Sequence, residues 1–172
     1  MKAAIRDDNP VLVMESETLY NVQGPVPDFV DAMEIGKAQI LREGTDCTLV
    51  AYSRMTHVAL EAADALAKEG VSCEVVDLRS LRPLDEATII QSVRKTHRCV
   101  VVHEGWPYGG VGAEIVDRVQ RLAFDWLDGP ILRVTTLDVP MPYNAKLEQL
   151  CVPQVPRVLE TVRRVVTRGS AQ

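Results

Sequence analysis

The sequence predicts an α/β fold of three layers, in which helices cover both faces of a mostly parallel sheet. From Gly36 onward, short apolar runs alternate with longer segments of helical period, a pattern typical of strands joined by crossover helices. Parallel strands need right-handed crossovers, which place the helices on the faces of the sheet. The 172 residues, 47% of them hydrophobic, suffice for one well-buried core and are few for two full domains.

The first two strand and helix units are predicted between residues 48 and 96. Thr48 to Tyr52 is an apolar run, and the segment from Met55 to Leu66 carries apolar residues at helical spacing before Gly70. Cys73 to Leu78 is the second predicted strand. Asp85 is a suitable N-cap for the helix that follows it.

A third unit and a closing pair complete the predicted sheet. Cys99 to Val102 is apolar throughout, as strands buried on both faces are, and a helix follows from Val111. Ile131 to Thr135 supplies a fourth strand. The apolar stripe of the last segment predicts a closing helix that starts near Pro156.

Residues 1 to 35 do not follow this pattern. Val11 to Met14 is predicted to be a strand, and the segment after it contains Gly24, Pro25 and Pro27 with little periodicity. A long irregular stretch in a compact domain indicates a segment that packs on something else. We therefore divide the chain into a linker and arm, residues 1–35, and a domain, residues 36–172.

Charge and hydropathy exclude several classes of protein. The net charge is −5, from 24 acidic and 19 basic side chains spread along the chain, and no Lys/Arg cluster suits a phosphate backbone. No apolar run approaches the roughly 20 residues that cross a bilayer, and the first residues lack the apolar core of a signal peptide. We expect a cytoplasmic protein that binds neither nucleic acid nor membrane.

The cysteines are predicted to be buried, reduced thiols. They are far apart in the sequence, without the close pairing that zinc sites and redox dithiols use, and most lie in or beside apolar runs. Free cysteine mostly behaves as a small hydrophobic residue. The four residues are Cys47, Cys73, Cys99 and Cys151.

The stretch "VVHEGWPYGGVGAEI", residues 101 to 115, is the candidate ligand site. His103 and Glu104 follow a predicted strand at its carboxyl end, and the glycines from Gly109 to Gly112 open a helix whose amino end suits an anion. The spacing departs from the dinucleotide-binding pattern. The alternative is a turn whose glycines let helix and sheet approach closely, while Glu104 binds nearby backbone donors.

Other polar and aromatic residues suggest no catalytic set. His103 has no identifiable nucleophile, and His57 and His97 are expected to be solvated. Trp106 and Tyr108 lie in a predicted loop, where large aromatic residues serve either a local core or a contact with a partner. We assign no catalytic and no cofactor-binding residue, and treat Trp106 and Tyr108 as candidate interface residues.

Four stretches together resemble one known family. They are "AAIRDDNPVLVMESETLYNVQGPVP", "VVDLRSLRPLDEATI", "VHEGWPYGGVGAEI" and "TTLDVPMPYNAKLEQLCVPQ". In order and over nearly the whole chain, they resemble the second half of the beta subunits of thiamine-diphosphate-dependent 2-oxoacid dehydrogenases. The "GWP" followed by "GGVGAEI", and the "DVPMPY", are most similar to the pyruvate branch of that family.

The resemblance implies a domain without its catalytic half. Family members have an amino-terminal pyrimidine-binding domain, a linker and a transketolase-type carboxy-terminal domain, and this chain resembles the linker and the last domain only. We therefore expect Met1 to mark a fragment or a truncated gene. The catalytic histidine of the family has no match in His57, His97 or His103. An oxidoreductase activity from this chain alone is therefore not expected.

The resemblance also implies part of a potassium site. In the family the linker surrounds this ion with backbone carbonyls and an Asn or Asp, and the matching positions are Ala4, Ile5, Asp7 and Asn9. Oxygen ligands suit a hard cation. Since the remaining ligands belong to the absent domain, we expect this site to be empty. The alternative is a turn in which Asn9 bonds its own backbone before Pro10.

Two functions from different classes follow. The first is the assembly and partner-binding domain of a pyruvate dehydrogenase beta subunit, which forms a homodimer and contacts the alpha subunit and the dihydrolipoyl acyltransferase. The intact complex, with thiamine diphosphate and magnesium, oxidatively decarboxylates pyruvate and passes on the acetyl group. The second is an independent α/β protein or enzyme that binds a small anion at the loop from His103 to Gly112.

Overall fold

A computed structural model describes residues 1–25 and 32–169 of the chain. Its sheet has five strands: β1 (Gln39–Arg42), β2 (Cys47–Ala51), β3 (Cys73–Asp77), β4 (Cys99–Val102) and β5 (Leu132–Val134). The α-helices of the described residues are α1 (Lys2–Arg6), α2 (Arg54–Ala67), α3 (Glu86–Thr96), α4 (Val111–Ala123), α5 (Ala145–Cys151) and α6 (Val155–Gly169). Short 3-10 turns cover Glu17–Leu19 and Phe124–Trp126.

The sheet is mostly parallel, as predicted. The strand order is β1-β3-β2-β4-β5, and only the edge strand β1 runs antiparallel to its neighbour β3. Strand β2 lies at the centre, with Leu49 in register with Val75 of β3 and Val100 of β4. Parallel strands end at one edge of the sheet, so the loops after β2, β3, β4 and β5 share that edge.

Helices cover both faces of the sheet, which confirms the three-layer prediction. Leu49 and Ala51 face one core, which α2 and α6 cover. Val50, between them, faces the other core, against α3 and α4. Because successive side chains of a strand point to opposite faces, a strand buried on both sides is apolar throughout.

The predicted N-cap of α3 is confirmed at Asp85. Its Oδ1 accepts from the backbone N–H of Thr88 at 3.2 Å, and its Oδ2 accepts from the Thr88 hydroxyl at 2.8 Å. Oδ2 also accepts from the backbone N–H of Ala38 at 3.0 Å. One carboxylate thus caps α3 and fixes the chain where it enters β1.

The predicted strand at Val11 to Met14 is wrong. These residues have no regular secondary structure, and Leu12 and Met14 are 93% and 89% exposed. A strand is stable only when a neighbouring strand binds its backbone, and no described residue pairs with this segment. Helix α1 and strand β1 were not predicted. Strand β1 is mostly exposed, and its four residues QILR hold only two apolar ones, too few to mark a strand in the sequence.

In the described part of the linker and arm, residues outside α1 and the 3-10 turn Glu17–Leu19 have no regular secondary structure. Residues 26–31, which belong to the predicted arm, lie outside the described residues. The boundary between arm and domain at residues 35 and 36 stays a prediction. No helix of the described chain is long and apolar enough to cross a membrane.

All four cysteines are buried and free, as predicted. Cys47 and Cys73 are in register on the neighbouring strands β2 and β3, and both belong to the core under α2 and α6. Cys99 faces the opposite core. Within the described residues, no group of three or more His, Cys, Asp or Glu side chains could hold a metal ion.

Candidate functional site

The loop between β4 and α4 lies at the carboxyl edge of the sheet and is fixed at three points. The backbone N–H of His103 donates to the carbonyl of Val134, at the end of β5, at 3.0 Å. The carbonyl of Gly105 accepts from Thr136 N–H at 3.2 Å. Arg133 donates from Nη1 to the carbonyl of Pro107 at 2.8 Å. Strand β5 and the residues after it therefore hold the loop in one shape.

The imidazole of His103 fills the space that the loop glycines leave open. His103 is fully buried. A Cβ added to Gly105 would lie 2.8 Å from Nδ1, one on Gly110 would lie 2.9 Å from Cε1, and one on Gly112 would lie 2.3 Å from Nε2. The glycines do permit a close approach, as the second interpretation of this stretch states. The group that approaches them is a side chain of the same loop.

The hydrogen bonds of His103 define its tautomer. Nδ1 accepts from the backbone N–H of Gly105 at 3.2 Å, so the proton of the neutral ring lies on Nε2. Nε2 is buried and has no hydrogen-bond partner among the residues that the structure describes. Burial lowers the pKa of His103, and the charge of Arg133 lowers it further. The ring is therefore neutral at physiological pH.

Glu104 forms an ion pair with an arginine rather than with His103. Its Oε1 accepts from Nη1 of Arg54, at the start of α2, at 3.2 Å. The expectation that Glu104 binds backbone donors of the turn is wrong, because this ion pair directs the carboxylate toward α2. Arg54 also lines a hollow of about 200 Å³ beside α5 and the arm residue Thr18.

Trp106 and Tyr108 are presented to solvent. Trp106 is 54% exposed and Tyr108 is 89% exposed, so of the two alternatives for these residues the local core is wrong. Trp106 lines a shallow hollow of about 170 Å³ with Asp138, Val139 and Pro140. We call these four lining residues the Trp106 surface. Further exposed apolar side chains follow in the sequence: Met141, Tyr143, Leu147 and Leu150.

The two other histidines lie on separate elements. His57 is exposed on α2, as predicted. His97 is half-buried, stacks on the Trp126 ring at 6.3 Å between centroids, and its Nδ1 lies 2.8 Å from the Trp126 carbonyl oxygen. His97 is therefore only partly solvated, because the chain after α4 returns across it.

The predicted potassium ligands lie at the start of the chain. Ala4 and Ile5 belong to α1, and the Asp7 Oδ1 accepts from both the backbone N–H and the Nδ2 of Asn9, each at 2.9 Å. These bonds lower the pKa of Asp7. The predicted turn had Asn9 bond its own backbone, whereas both of these bonds run from Asn9 to the Asp7 side chain. Asp7 would have to release Asn9 to ligate a cation with this oxygen, and the partial site stays a prediction.

Sequence reasoning missed the two arginines that organise the loop. Arg54 and Arg133 reach it from α2 and β5, which lie far away in the sequence. No local motif marks either residue. Only the predicted parallel sheet, in which strands end at one edge, offered a signal.

The fold and this loop define the class of protein: a transketolase-like α/β/α domain. Residues 36–158 match the family described as transketolase, C-terminal domain, and the chain belongs to this family. A split-gene transketolase, solved as an inactive beta4 tetramer, is 31% identical, with a TM-score of 0.68 over 84% of this chain and 45% of its own. The fold alone is shared with a 2-oxoglutarate:ferredoxin oxidoreductase from Magnetococcus marinus, at 13% identity, a TM-score of 0.52, and 81% and 20% of the two chains.

Sequence relatives specify the branch of the family. The chain is 50% identical to the pyruvate dehydrogenase E1 component subunit beta-2, mitochondrial, of Oryza sativa subsp. japonica, over 98% of this chain and 46% of the relative. It is 47% identical to the pyruvate dehydrogenase E1 component subunit beta of Rickettsia felis, over 96% of this chain and 51% of the relative. The resemblance to beta subunits of the pyruvate branch is confirmed. The chain spans about half the length of these relatives.

Proposed function

We propose that this chain serves subunit assembly and partner binding in a pyruvate dehydrogenase, as the carboxy-terminal part of its E1 beta subunit. The observation that carries the proposal is an exposed tryptophan on a loop held in place by two backbone–backbone hydrogen bonds, one bond from Arg133 and a buried imidazole. Rigid aromatic side chains presented to solvent are typical of the centre of an interface.

The chemistry of the described residues supports assembly rather than catalysis. His103 is buried and neutral, and Glu104 is bound to Arg54. In the proposed intact enzyme, thiamine diphosphate and magnesium supply the decarboxylation chemistry, and the acetyl group passes to a dihydrolipoyl acyltransferase. We assign no residue of this chain to either cofactor. The proposed location is the cytoplasm.

The proposed contact is a homodimer through the Trp106 surface. Contiguous apolar patches above a few hundred Å² are uncommon on monomers, and at roughly 25 cal/mol per Å² their burial favours association by several kcal/mol before entropy is counted. A two-fold interface is the commonest way for one chain to cover such a patch. The split-gene relative was solved as a beta4 tetramer, which supports association among copies of this domain.

Sedimentation of the whole chain over the micromolar range tests the dimer. We expect a dimer at micromolar concentration, and Trp106→Ala to shift the equilibrium toward monomer. The matched control is Trp126→Ala, because Trp126 is also half-exposed, at 45%, but lies past the other end of α4. A single species of monomer mass at every concentration contradicts the dimer, and an equal effect of both substitutions contradicts the assigned surface.

An activity assay tests the second half of the proposal. Pyruvate-dependent reduction of a dye acceptor by the purified chain, with thiamine diphosphate and magnesium added, is expected to equal the rate without protein. A rate above that control would contradict a purely assembly role. A thermal-shift screen against phosphate, carboxylates and thiamine diphosphate separates this function from an anion-binding one, for which stabilisation by a small anion is expected.

A further inference from the structure

His103 is a buried titratable group that the proposed assembly role does not itself require. Its ring packs against Gly105 and Gly110 of the loop and against Gly112 at the start of α4. Trp106 lies in the middle of that loop, and the Trp106 carbonyl would lie 2.7 Å from a Cβ on Gly110. The position of the exposed indole therefore depends on what occupies the space under the glycines.

The surroundings of His103 favour the neutral imidazole over the protonated one for three reasons. Protonation would add a hydrogen to Nδ1, the atom that accepts from Gly105 N–H, so two donors would face each other. Nε2 lies against Gly112 in the first turn of α4, where the helix dipole is positive. The added charge would also be buried, without a carboxylate partner among the described residues.

The charged and titratable groups around the ring come from four elements. Arg133 of β5 adds positive charge and is bound to the loop carbonyl of Pro107. Tyr52, after β2, stacks on the ring at 6.4 Å between centroids. Glu104 is bound to Arg54 of α2. On α4, Glu114 in the first turn forms an ion pair with Arg118 of the same helix.

We propose that His103 is a positioning residue of the Trp106 surface and a pH-sensitive latch, whose neutral ring holds the loop in the shape that presents Trp106 and whose protonation releases it. The inference rests on the proposed assembly role, because a latch on this loop controls association only if the Trp106 surface is the contact. Burial lowers the pKa of His103. Stability from the latch is therefore complete above the unfolded pKa of about 6.5 and is lost as pH falls through the folded value.

Fluorine NMR of the whole chain, labelled with 5-fluorotryptophan, tests the latch directly. Trp106 and Trp126 give separate signals, which Trp126→Phe assigns. Between pH 7.5 and 5 we expect the Trp106 signal to shift with the same midpoint as the imidazole carbon-bound protons of His103, below 6.5. A Trp106 signal that stays constant while His103 titrates, or a His103 that stays neutral to pH 5, would overturn the proposal.

Two variants separate the latch from general acid effects. His103→Asn keeps an acceptor for Gly105 N–H and cannot be protonated in this range, so the Trp106 shift is expected to vanish. His57→Gln removes an exposed histidine and is expected to leave the shift unchanged. If His103→Asn does not fold, the coincidence of the two midpoints in the unmodified chain decides the question alone.

Sedimentation at pH 7.5 and pH 5.5 separates failure of the latch from failure of the proposed function. Because each dimer contains two His103 rings, we expect the dimer dissociation constant to be higher at pH 5.5, by at most about 100-fold for each unit by which dimer formation lowers the His103 pKa. A Trp106 shift without any dimer at either pH would leave the latch in place and contradict the assembly role. A dimer that Trp106→Ala disrupts, with equal affinity at both pH values, would overturn the latch and leave the assembly role in place.

Discussion

The Cα of Gly112 lies so close to the imidazole of His103 that a Cβ there would come within 2.3 Å of Nε2 and 2.5 Å of Cδ2. Contacts this short do not occur between real side chains, so the two positions depend on each other. Helix α4 reaches the sheet only because residue 112 has no side chain, and the buried ring of residue 103 fills the gap. The glycines at positions 105, 110 and 112 therefore leave the space that the buried His103 ring occupies.

Gly112→Ala is expected to destabilise the chain by about 1–3 kcal/mol. The added methyl group overpacks the His103 contact, while the gain in helix propensity offsets less than about 1 kcal/mol of that cost. Urea unfolding measures the change. Gly129→Ala is the control, because its Cβ would meet no heavy atom within 4 Å, and it should change stability by less than about 0.5 kcal/mol.

The same contact predicts strong coupling between the two positions. Combining Gly112→Ala with His103→Ala removes the ring that the methyl group strikes, so the double variant should lose less stability than the two single changes added together. Neighbours in contact typically show coupling of about 0.5–3 kcal/mol. Strict additivity in the unfolding free energies would show that the two residues do not touch in solution.

The sequence predicted the elements whose signal is local. Cys99 to Val102 is buried on both faces, and the apolar run therefore has the bounds of β4. Asp85 is an N-cap because its carboxylate reaches backbone three residues ahead, a distance that sequence spacing defines. The alternation of strands and helices then fixed a parallel sheet, because parallel strands require crossovers.

Elements that depend on distant partners could not be predicted. Strand β1 is mostly exposed and pairs through its backbone with β3, which lies over thirty residues further along the chain. Val11 to Met14 has the composition of a strand but no described strand beside it. The role of the loop glycines was partly predicted, as a close approach, but the partner of that approach required the position of the His103 ring.

The thiols are expected to react slowly in the native chain. Burial raises the pKa of Cys99 to about 12, and a hydrogen bond with Cys73, followed by burial, raises that of Cys47. At pH 8 a thiol of pKa 12 has a thiolate fraction roughly 10³-fold below that of a free cysteine. Titration with a coloured disulfide reagent should give at most one fast thiol natively and four in denaturant.

Cys151 is the expected site of any fast reaction, because it is 7% exposed and the other three are fully buried. Cys151→Ser should therefore remove the fast phase, and Cys99→Ser should leave it unchanged. Two or more thiols that react within the mixing time in the native chain would contradict the burial of Cys47, Cys73 or Cys99.

Lys95→Met is expected to destabilise the chain by about 1–3 kcal/mol. Glu74 is fully buried, and its Oε2 is bound by the Lys95 ammonium, so the substitution removes the cation and leaves the Glu74 side chain with the Gly44 N–H at 3.3 Å and the neighbouring Glu43 carboxyl group. Breaking a fully buried pair costs about 3–5 kcal/mol, and the value is reduced here because Lys95 is 40% exposed. Urea unfolding at pH 7 measures the loss.

Two further variants locate that cost at Glu74. Adding Glu74→Gln to Lys95→Met should recover much of the stability, because an amide needs no counter-charge. Glu43→Gln, which removes the other carboxylate bound to Lys95, should cost less than about 1 kcal/mol, since Glu43 is 76% exposed. A larger loss from Glu43→Gln than from Lys95→Met would contradict a buried pair centred on Glu74.

Asp85→Ala is expected to cost about 2 kcal/mol, more than a simple N-cap, because the carboxylate also binds Ala38 N–H at the entry to β1. Burial raises the pKa of Asp85, but its bonds from Thr88 and Ala38 outweigh burial and lower it overall. The folded pKa is therefore below the unfolded value of about 3.9, and this stabilisation is complete above that value and lost as pH falls through the folded one.

Asp85→Asn keeps one acceptor and should lose less stability at pH 7, while the difference between the unmodified chain and this variant should shrink toward pH 3. Urea unfolding at pH 7, 5 and 3 measures both effects, and a difference that stays constant over this range would show that the Asp85 charge does not contribute.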